Sequence, residues 1–233
     1  SELGACAELK PGVIEANGLE SLLLKIGEGG HLGNGARKYF SGIKREELSM
    51  DVKGLELGGF DPRGIRGQAL AYATSNHGGD YLNAFMVGPE VLGRPVSLDS
   101  LSLKGKAGIL QILENLTAVL DSLVFCPFSI FVFNEELCSA LLLSVSGIDI
   151  SPAELLNIGE RVYNLERTYN LKAGFTWKDD TLPERLFENK EYEIYGLPRQ
   201  EFEAAIKEYY HYRGWDEKGV PKPEKLEKLG LIC

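Results

Sequence analysis

The densest run of chemistry-bearing residues in this 233-residue chain is Asp121-Ser122-Leu123-Val124-Phe125-Cys126-Pro127. A carboxylate five residues before a thiol, closing an apolar helix, presents two polar ligands at one helix exit. Iron–sulfur clusters take thiolate ligands, and Cys followed by Pro recurs at such ligands. One cysteine cannot hold a cluster, and the ordinary alternative is a small buried hydrophobe, because free Cys is among the most buried residue types. The remaining cysteines, Cys6, Cys138 and Cys233, form no C-x-x-C pair and no Cys/His group of zinc spacing. The three histidines are His31, His77 and His211. None of them pairs with Cys or Ser in a nucleophile arrangement, and no phosphate loop is present. Gly33-Asn34-Gly35 by itself marks a turn.

The elements that must position these groups are mostly helical. The strongest is a helix expected over 106–124, with Ile109, Ile112, Leu113, Leu116, Leu120 and Leu123 as its apolar face. Asp121 sits near its C-terminal end, where the helix dipole disfavours a carboxylate. A small-residue helix is expected over 67–75, stopped by Asn76-His77-Gly78-Gly79. Before it, 49–59 reads as extended and Asp61-Pro62-Arg63-Gly64 as a turn. Asn17 is placed to cap a helix carrying Leu19, Leu22, Leu23 and Ile26. An apolar stretch over 128–133 is followed by a core segment at 140–143. Ser151-Pro152-Ala153-Glu154 has the capping-box form and opens a helix with Leu155, Ile158, Val162, Leu165 and Tyr169 inward. A helix over 200–212 is expected to bury Phe202, Ala205, Ile206 and Tyr209, and a short one ending at Gly230 follows Pro221-Lys222-Pro223. Without βαβ alternation, the fold class is all-α and multihelical.

Composition excludes several partners. The formal net charge is −9, and Lys and Arg are interleaved with acids rather than gathered on a face. No direct nucleic-acid partner is therefore expected. The stretch holding Glu208, Arg213, Asp216, Glu217 and Lys218 reads as a solvated face. The most apolar region, 119–133, is interrupted by Asp121 and Pro127, so no membrane span is expected. The absence of a leader-like start leads to an expectation of reduced cysteines and a cytoplasmic protein.

Several motifs, taken in order, resemble the tungsten-containing aldehyde:ferredoxin oxidoreductase family. They are Val52-Lys53-Gly54-Leu55-Glu56, Asp61-Pro62-Arg63-Gly64, the run Gly67-Gln68-Ala69-Leu70-Ala71-Tyr72-Ala73-Thr74-Ser75-Asn76, and Asp121 to Cys126. Toward the end come Leu182-Pro183-Glu184-Arg185, Tyr209-Tyr210, Arg213-Gly214-Trp215-Asp216 and Pro223-Glu224-Lys225-Leu226. The resemblance implies a C-terminal portion of such an enzyme. Residues 1–48 would end the second helical domain and 49–233 would form the third. It further implies oxidation of small aldehydes to carboxylic acids, with tungsten or molybdenum held by two pterins, a [4Fe–4S] cluster and ferredoxin as acceptor. By position, Asp121 resembles the residue that hydrogen-bonds a pterin, and Cys126 the fourth cluster ligand. The other three cluster cysteines would lie upstream. Tyr81 stands at the family's active-site histidine and would be the catalytic residue; Asn83, at a basic position, and Val124-Phe125, where Gly-Leu often precedes the cysteine, would join Asp121 in binding the cofactor. Many members carry Arg where His77 stands.

The expected partners are the N-terminal part of the same enzyme, ferredoxin and a small aldehyde, with a homodimer as a further arrangement. By itself the fragment is expected to hold no cofactor and to be inactive. Two other readings stay open: a non-catalytic helical scaffold derived from that family, and a family member reducing an acid-level or thioester substrate.

Overall fold

A computed structural model describes residues 16–28, 31–188 and 196–231. The described residues are mostly helical, with one two-stranded ribbon, as the patterning requires. In chain order the elements are α1 (Ala16–Gly27), α2 (Ala36–Gly42), β1 (Asp51–Val52), β2 (Leu55–Glu56), α3 (Arg66–Thr74), α4 (Ala107–Ser122), α5 (Glu135–Ser146), α6 (Pro152–Lys172), α7 (Arg199–Arg213) and α8 (Pro223–Lys228).

The centre of the fold is α4, which packs chiefly on α6 and α7. Its first half enters a large core with Leu70, Tyr72, Met86, Tyr163, Tyr209 and Trp215. Its second half, through Leu116, Val119 and Leu120, joins Cys138 and Leu155 in a smaller cluster. Burying such apolar faces is the dominant favourable contribution to the fold. The capping box at Ser151 forms as expected: its side chain accepts from the Glu154 N–H and the Glu154 carboxylate accepts from the Ser151 N–H. The extended reading of 49–59 resolves into the β1–β2 hairpin, antiparallel with Val52 opposite Leu55. Both turn residues have positive φ, Lys53 at 52° and Gly54 at 88°, as a primed hairpin turn demands.

Several expected inward positions turn out otherwise. Ile112, Leu165 and Tyr169 are exposed on their helices, because α4 and α6 use a narrower apolar stripe than the full set of hydrophobic positions. Leu143 in the expected 140–143 core segment is also exposed, since α5 leans on α6 with only part of its circumference. Leu23 and Ile26 of α1 are exposed, because α1 packs chiefly against the turn at His31–Asn34. That helix starts at Ala16, which places Asn17 inside its first turn rather than at the cap. Cys6 and Cys233 lie outside the described residues.

The solvated reading holds for Asp216, Glu217 and Lys218 but not for Arg213. Its side chain is wholly buried, and its guanidinium donates to Glu114 at 2.5 Å, Asn115 at 2.6 Å and the Tyr209 hydroxyl at 2.9 Å. Sequence position suggested solvent; a carboxylate 99 residues away supplied the partner that a buried charge requires. A second buried network centres on Asp180. It takes two bonds from Arg167 (2.9 and 2.6 Å), one from Lys53 at 2.9 Å and one from the Tyr210 hydroxyl at 2.5 Å. Burial alone would raise the Asp180 carboxyl, but Lys53 and Arg167 outweigh it and the net shift is downward. This cluster fastens the hairpin turn to α6 and α7, which fixes the surface on which the next loop rests.

Candidate functional site

The loop after α3 is seated by its glycines. At Gly78, where φ is +94°, a Cβ would lie 2.4 Å from the Val52 carbonyl oxygen; at Gly79 it would lie 2.4 Å from that of Leu55. Only glycine permits this approach to the hairpin backbone. Ser75 then organises the loop through one hydroxyl, which accepts from the His77 N–H at 3.1 Å and from the Asn83 amide at 3.0 Å. Asn83 is buried, so its amide is spent inside the loop rather than presented to a ligand. Asn76 ties the loop to α6 by donating to the Tyr163 carbonyl at 3.0 Å and to Glu166 at 3.2 Å.

Tyr81 is half-buried, its ring edge-on to Phe60 at 5.2 Å and tilted against Phe85 at 6.0 Å. Beneath it lies Tyr72, fully buried, whose hydroxyl has no hydrogen-bond partner. Burial, with Tyr81 and Asp80 nearby, pushes the Tyr72 phenol up to about 12. A buried hydroxyl without a partner is uncommon.

At the far end of α4 the chain turns through a Schellman-type stop. The Phe125 N–H donates to Leu120 O at 2.9 Å and the Val124 N–H to Asp121 O at 3.0 Å. Val124 takes the left-handed position with φ 61° and is 91% exposed. A β-branched residue there is an outlier, and the position explains why glycine would suit it better. The requirement is backbone conformation, not space, since the Val124 side chain points to solvent. Val124→Gly is expected to stabilise the chain by ~1 kcal/mol and raise Tm by about 2–4 °C in a calorimetric scan. An unchanged or lower Tm would mean that the left-handed turn carries no strain.

The two turn residues behave differently. Phe125 packs on Phe133 at 4.8 Å and belongs to the smaller core cluster. Its side chain is therefore used internally, leaving only its backbone for a ligand. Cys126 is a free, exposed thiol, whereas Cys138 is buried, where desolvation pushes its thiol up. The small-buried-hydrophobe reading thus applies to Cys138 and not to Cys126. After Cys126 a short 3₁₀ turn (Pro127–Phe131) carries Phe128 and Phe131 to Phe85, at 6.0 and 5.2 Å.

One loop therefore borders both ends of the constellation. Phe85 meets the turn after Cys126, and His77 and Asp80 face Asp121 electrostatically. Asp121 is exposed, yet desolvation raises its carboxyl; His77 lowers it and Asp80 raises it further. His77, Asp80 and Glu166 come together here, a grouping that sequence spacing did not indicate. The i to i+3 pair His77/Asp80 was readable locally, but Glu166, from α6, was not. Among the described residues no group of three or more His, Cys, Asp or Glu is arranged to hold a metal ion by itself.

The family model for aldehyde ferredoxin oxidoreductase, domains 2 and 3, matches residues 9–231. The chain belongs to the aldehyde ferredoxin oxidoreductase family. It is 38% identical to the tungsten-containing aldehyde ferredoxin oxidoreductase of Pyrococcus furiosus over 91% of this chain, which is 36% of that protein. The corresponding Thermococcus kodakarensis protein is 36% identical over the same shares. A third relative, the P. furiosus aliphatic sulfonate oxidoreductase, WOR-like subunit, is 32% identical over 94% of this chain and 32% of its own length. The chain thus spans about a third of the length of these relatives. Among solved structures, the BamBC active-site complex of benzoyl coenzyme A reductase shares the fold, with a TM-score of 0.64 over 99% of this chain and 42% of that one at 20% identity. Among the described residues no helix of this family member is long and apolar enough to cross a membrane.

The donor types fit the family's cofactors. An exposed thiol beside a left-handed backbone turn suits a cluster ligand that must be approached closely. An exposed carboxylate suits the N–H groups of a pterin ring.

Proposed function

We propose that this chain is the C-terminal helical part of a tungstopterin and iron–sulfur enzyme that oxidises aldehydes to carboxylic acids and passes electrons to ferredoxin. Residues 49–233 would form its third domain and 1–48 the end of the second. The single observation that carries this reading is the free thiol of Cys126, exposed at the end of α4 while Cys138, twelve residues on, is sealed in the core. When bound, the metallopterin and cluster supply the oxygen-transfer and electron-transfer chemistry. The chain's own groups hold and tune. Cys126 supplies the fourth thiolate of a [4Fe–4S] cluster, and Asp121 accepts hydrogen bonds from pterin N–H groups. The backbone at Val124 and Phe125 lines the approach. Tyr81 donates a hydrogen bond toward the reacting oxygen through its phenol O–H. Asn83 contributes by fixing the loop that carries Tyr81. Isolated, the fragment holds neither metal nor activity; the upstream part of the same enzyme completes the site.

The test is Cys126→Ala in the full-length enzyme purified without oxygen. The expected result is loss of about four iron atoms per chain and of the cluster's visible absorbance, with helical circular dichroism unchanged. Unchanged iron and absorbance would overturn the assignment.

A second reading is favoured by Tyr81, which replaces an imidazole with a phenol inside an aromatic group, and by the relative named for aliphatic sulfonates. In this reading the same cofactors act on a non-aldehyde oxo substrate. An aldehyde panel with a viologen dye as acceptor separates the two, since turnover of simple aldehydes supports the first.

A further inference from the structure

His77 stands between two carboxylates from different elements, each with its oxygens divided in the same way. Asp80 accepts from the Leu82 N–H through Oδ1 at 2.8 Å and turns Oδ2 to His77 Nδ1 at 3.4 Å. Glu166 of α6 accepts from the Asn76 amide through Oε2 at 3.2 Å and turns Oε1 to His77 Nε2 at 4.0 Å. Both ring nitrogens therefore face anions. The third charged group acting on the ring is Asp121, from the end of α4. A neutral imidazole can donate from only one nitrogen; the imidazolium bonds Asp80 and, at 4.0 Å, stands in an ion pair rather than a hydrogen bond with Glu166.

We propose that His77 is a positioning residue that works as an imidazolium. Held between Asp80 and Glu166, it fastens the 75–83 loop, and with it Tyr81, to α6 and faces Asp121 with a positive charge. The consequence for Asp121 rests on the pterin contact proposed above; the clamp itself does not. The hydrogen bond to Asp80, followed by the fields of Glu166 and Asp121, holds the His77 ring above its ordinary value of 6.5 against opposing desolvation. Asp80 is correspondingly lowered, chiefly by His77. The sign of the pH effect follows. A cation whose folded value is raised contributes fully below its unfolded value, and the contribution is lost as pH rises through the folded value. The loop is thus clamped at mildly acidic pH and loosens as the site becomes alkaline.

The experiment uses the full 233-residue chain without metal and two measurements. First, His77 is titrated by NMR. Its midpoint is expected above 6.5 and is expected to fall in both Asp80→Asn and Glu166→Gln. Second, amide hydrogen exchange of the 75–83 loop is followed at pH 6 and pH 8.5, corrected for the intrinsic pH dependence of exchange. Protection is expected to drop by up to about fivefold in the parent chain as the imidazolium loses its proton, since a half-exposed ion pair contributes little. His77→Lys should keep the loop protected at both pH values, and His77→Gln at neither. A midpoint at or below 6.5, or loop protection that is independent of pH, would overturn the clamp. Because no cofactor enters these measurements, their failure leaves the Cys126 assignment standing. A failed cluster assignment equally leaves the clamp untouched.

Discussion

Arg213→Met is expected to cost ~3–5 kcal/mol of folding free energy, because it leaves the Glu114 carboxylate buried without its counter-charge. Glu114 sits between α4's neighbours with both oxygens engaged. It accepts from the Tyr163 hydroxyl at 2.9 Å, the Tyr209 hydroxyl at 2.6 Å and Arg213 at 2.5 Å. Arg213 also lies over the Tyr163 ring, 4.0 Å from its centroid. Both side chains of the ion pair are fully buried, so water cannot replace a lost partner. A domain's total stability is of order 5–15 kcal/mol, so a loss of this size is expected to leave a substantial unfolded fraction at 37 °C. Urea unfolding of the parent, Arg213→Met, Glu114→Gln and the double variant forms a complete cycle. The double variant is expected to lose less than the sum of the singles, since removing both charges leaves neither orphaned. A single-variant loss under about 1 kcal/mol would show that Glu114 takes up a proton instead and that the pair is not held as ions.

Gly159→Ala is expected to destabilise by ~3 kcal/mol through backbone overlap, at the upper end of overpacking costs. A Cβ at Gly159 would lie 2.0 Å from the carbonyl oxygen of Asn115, and 2.7 Å from its carbon. Both obstacles are main chain of α4, so no rotamer change relieves them; the helices themselves must separate. Gly42→Ala serves as control, since nothing lies within 4 Å of a Cβ there and no positive φ is involved. That change is expected to be neutral or stabilising by up to ~1 kcal/mol. Thermal melts followed by circular dichroism compare the two. Equal melting temperatures would mean that α4 and α6 can part without cost. The consequence reaches the site, because α4 carries Asp121 in its last turn and α6 carries Glu166. Spacing between those helices sets how Asp121 and Glu166 are disposed around His77.

Helical periodicity and capping chemistry act over a few residues and were readable directly. The Ser151 box, the stop at 76–79 and the long apolar helix carrying Asp121 in its last turn all depend on neighbours within about one turn. The same local reasoning misplaced Ile112, Leu165 and Tyr169, because which apolar positions are covered depends on the partner helix and not on the helix itself. It also placed Arg213 in solvent. The resemblance in motif order picked out Asp121 and Cys126 as a pair, but not the strain at Val124, which is a property of the turn's dihedral angles.

The sequence by itself determined the helical class, the element order and the family, since each rests on local spacing or on the order of short motifs. Only the tertiary structure decided which charges are buried and paired, and which thiol is open. It also brought Glu166 beside His77. The physical reason is distance along the chain: Glu114 and Arg213 are 99 residues apart and Asn76 and Glu166 are 90 apart. Their interactions exist only once α4, α6 and α7 have packed, and no local rule encodes which distant group will arrive.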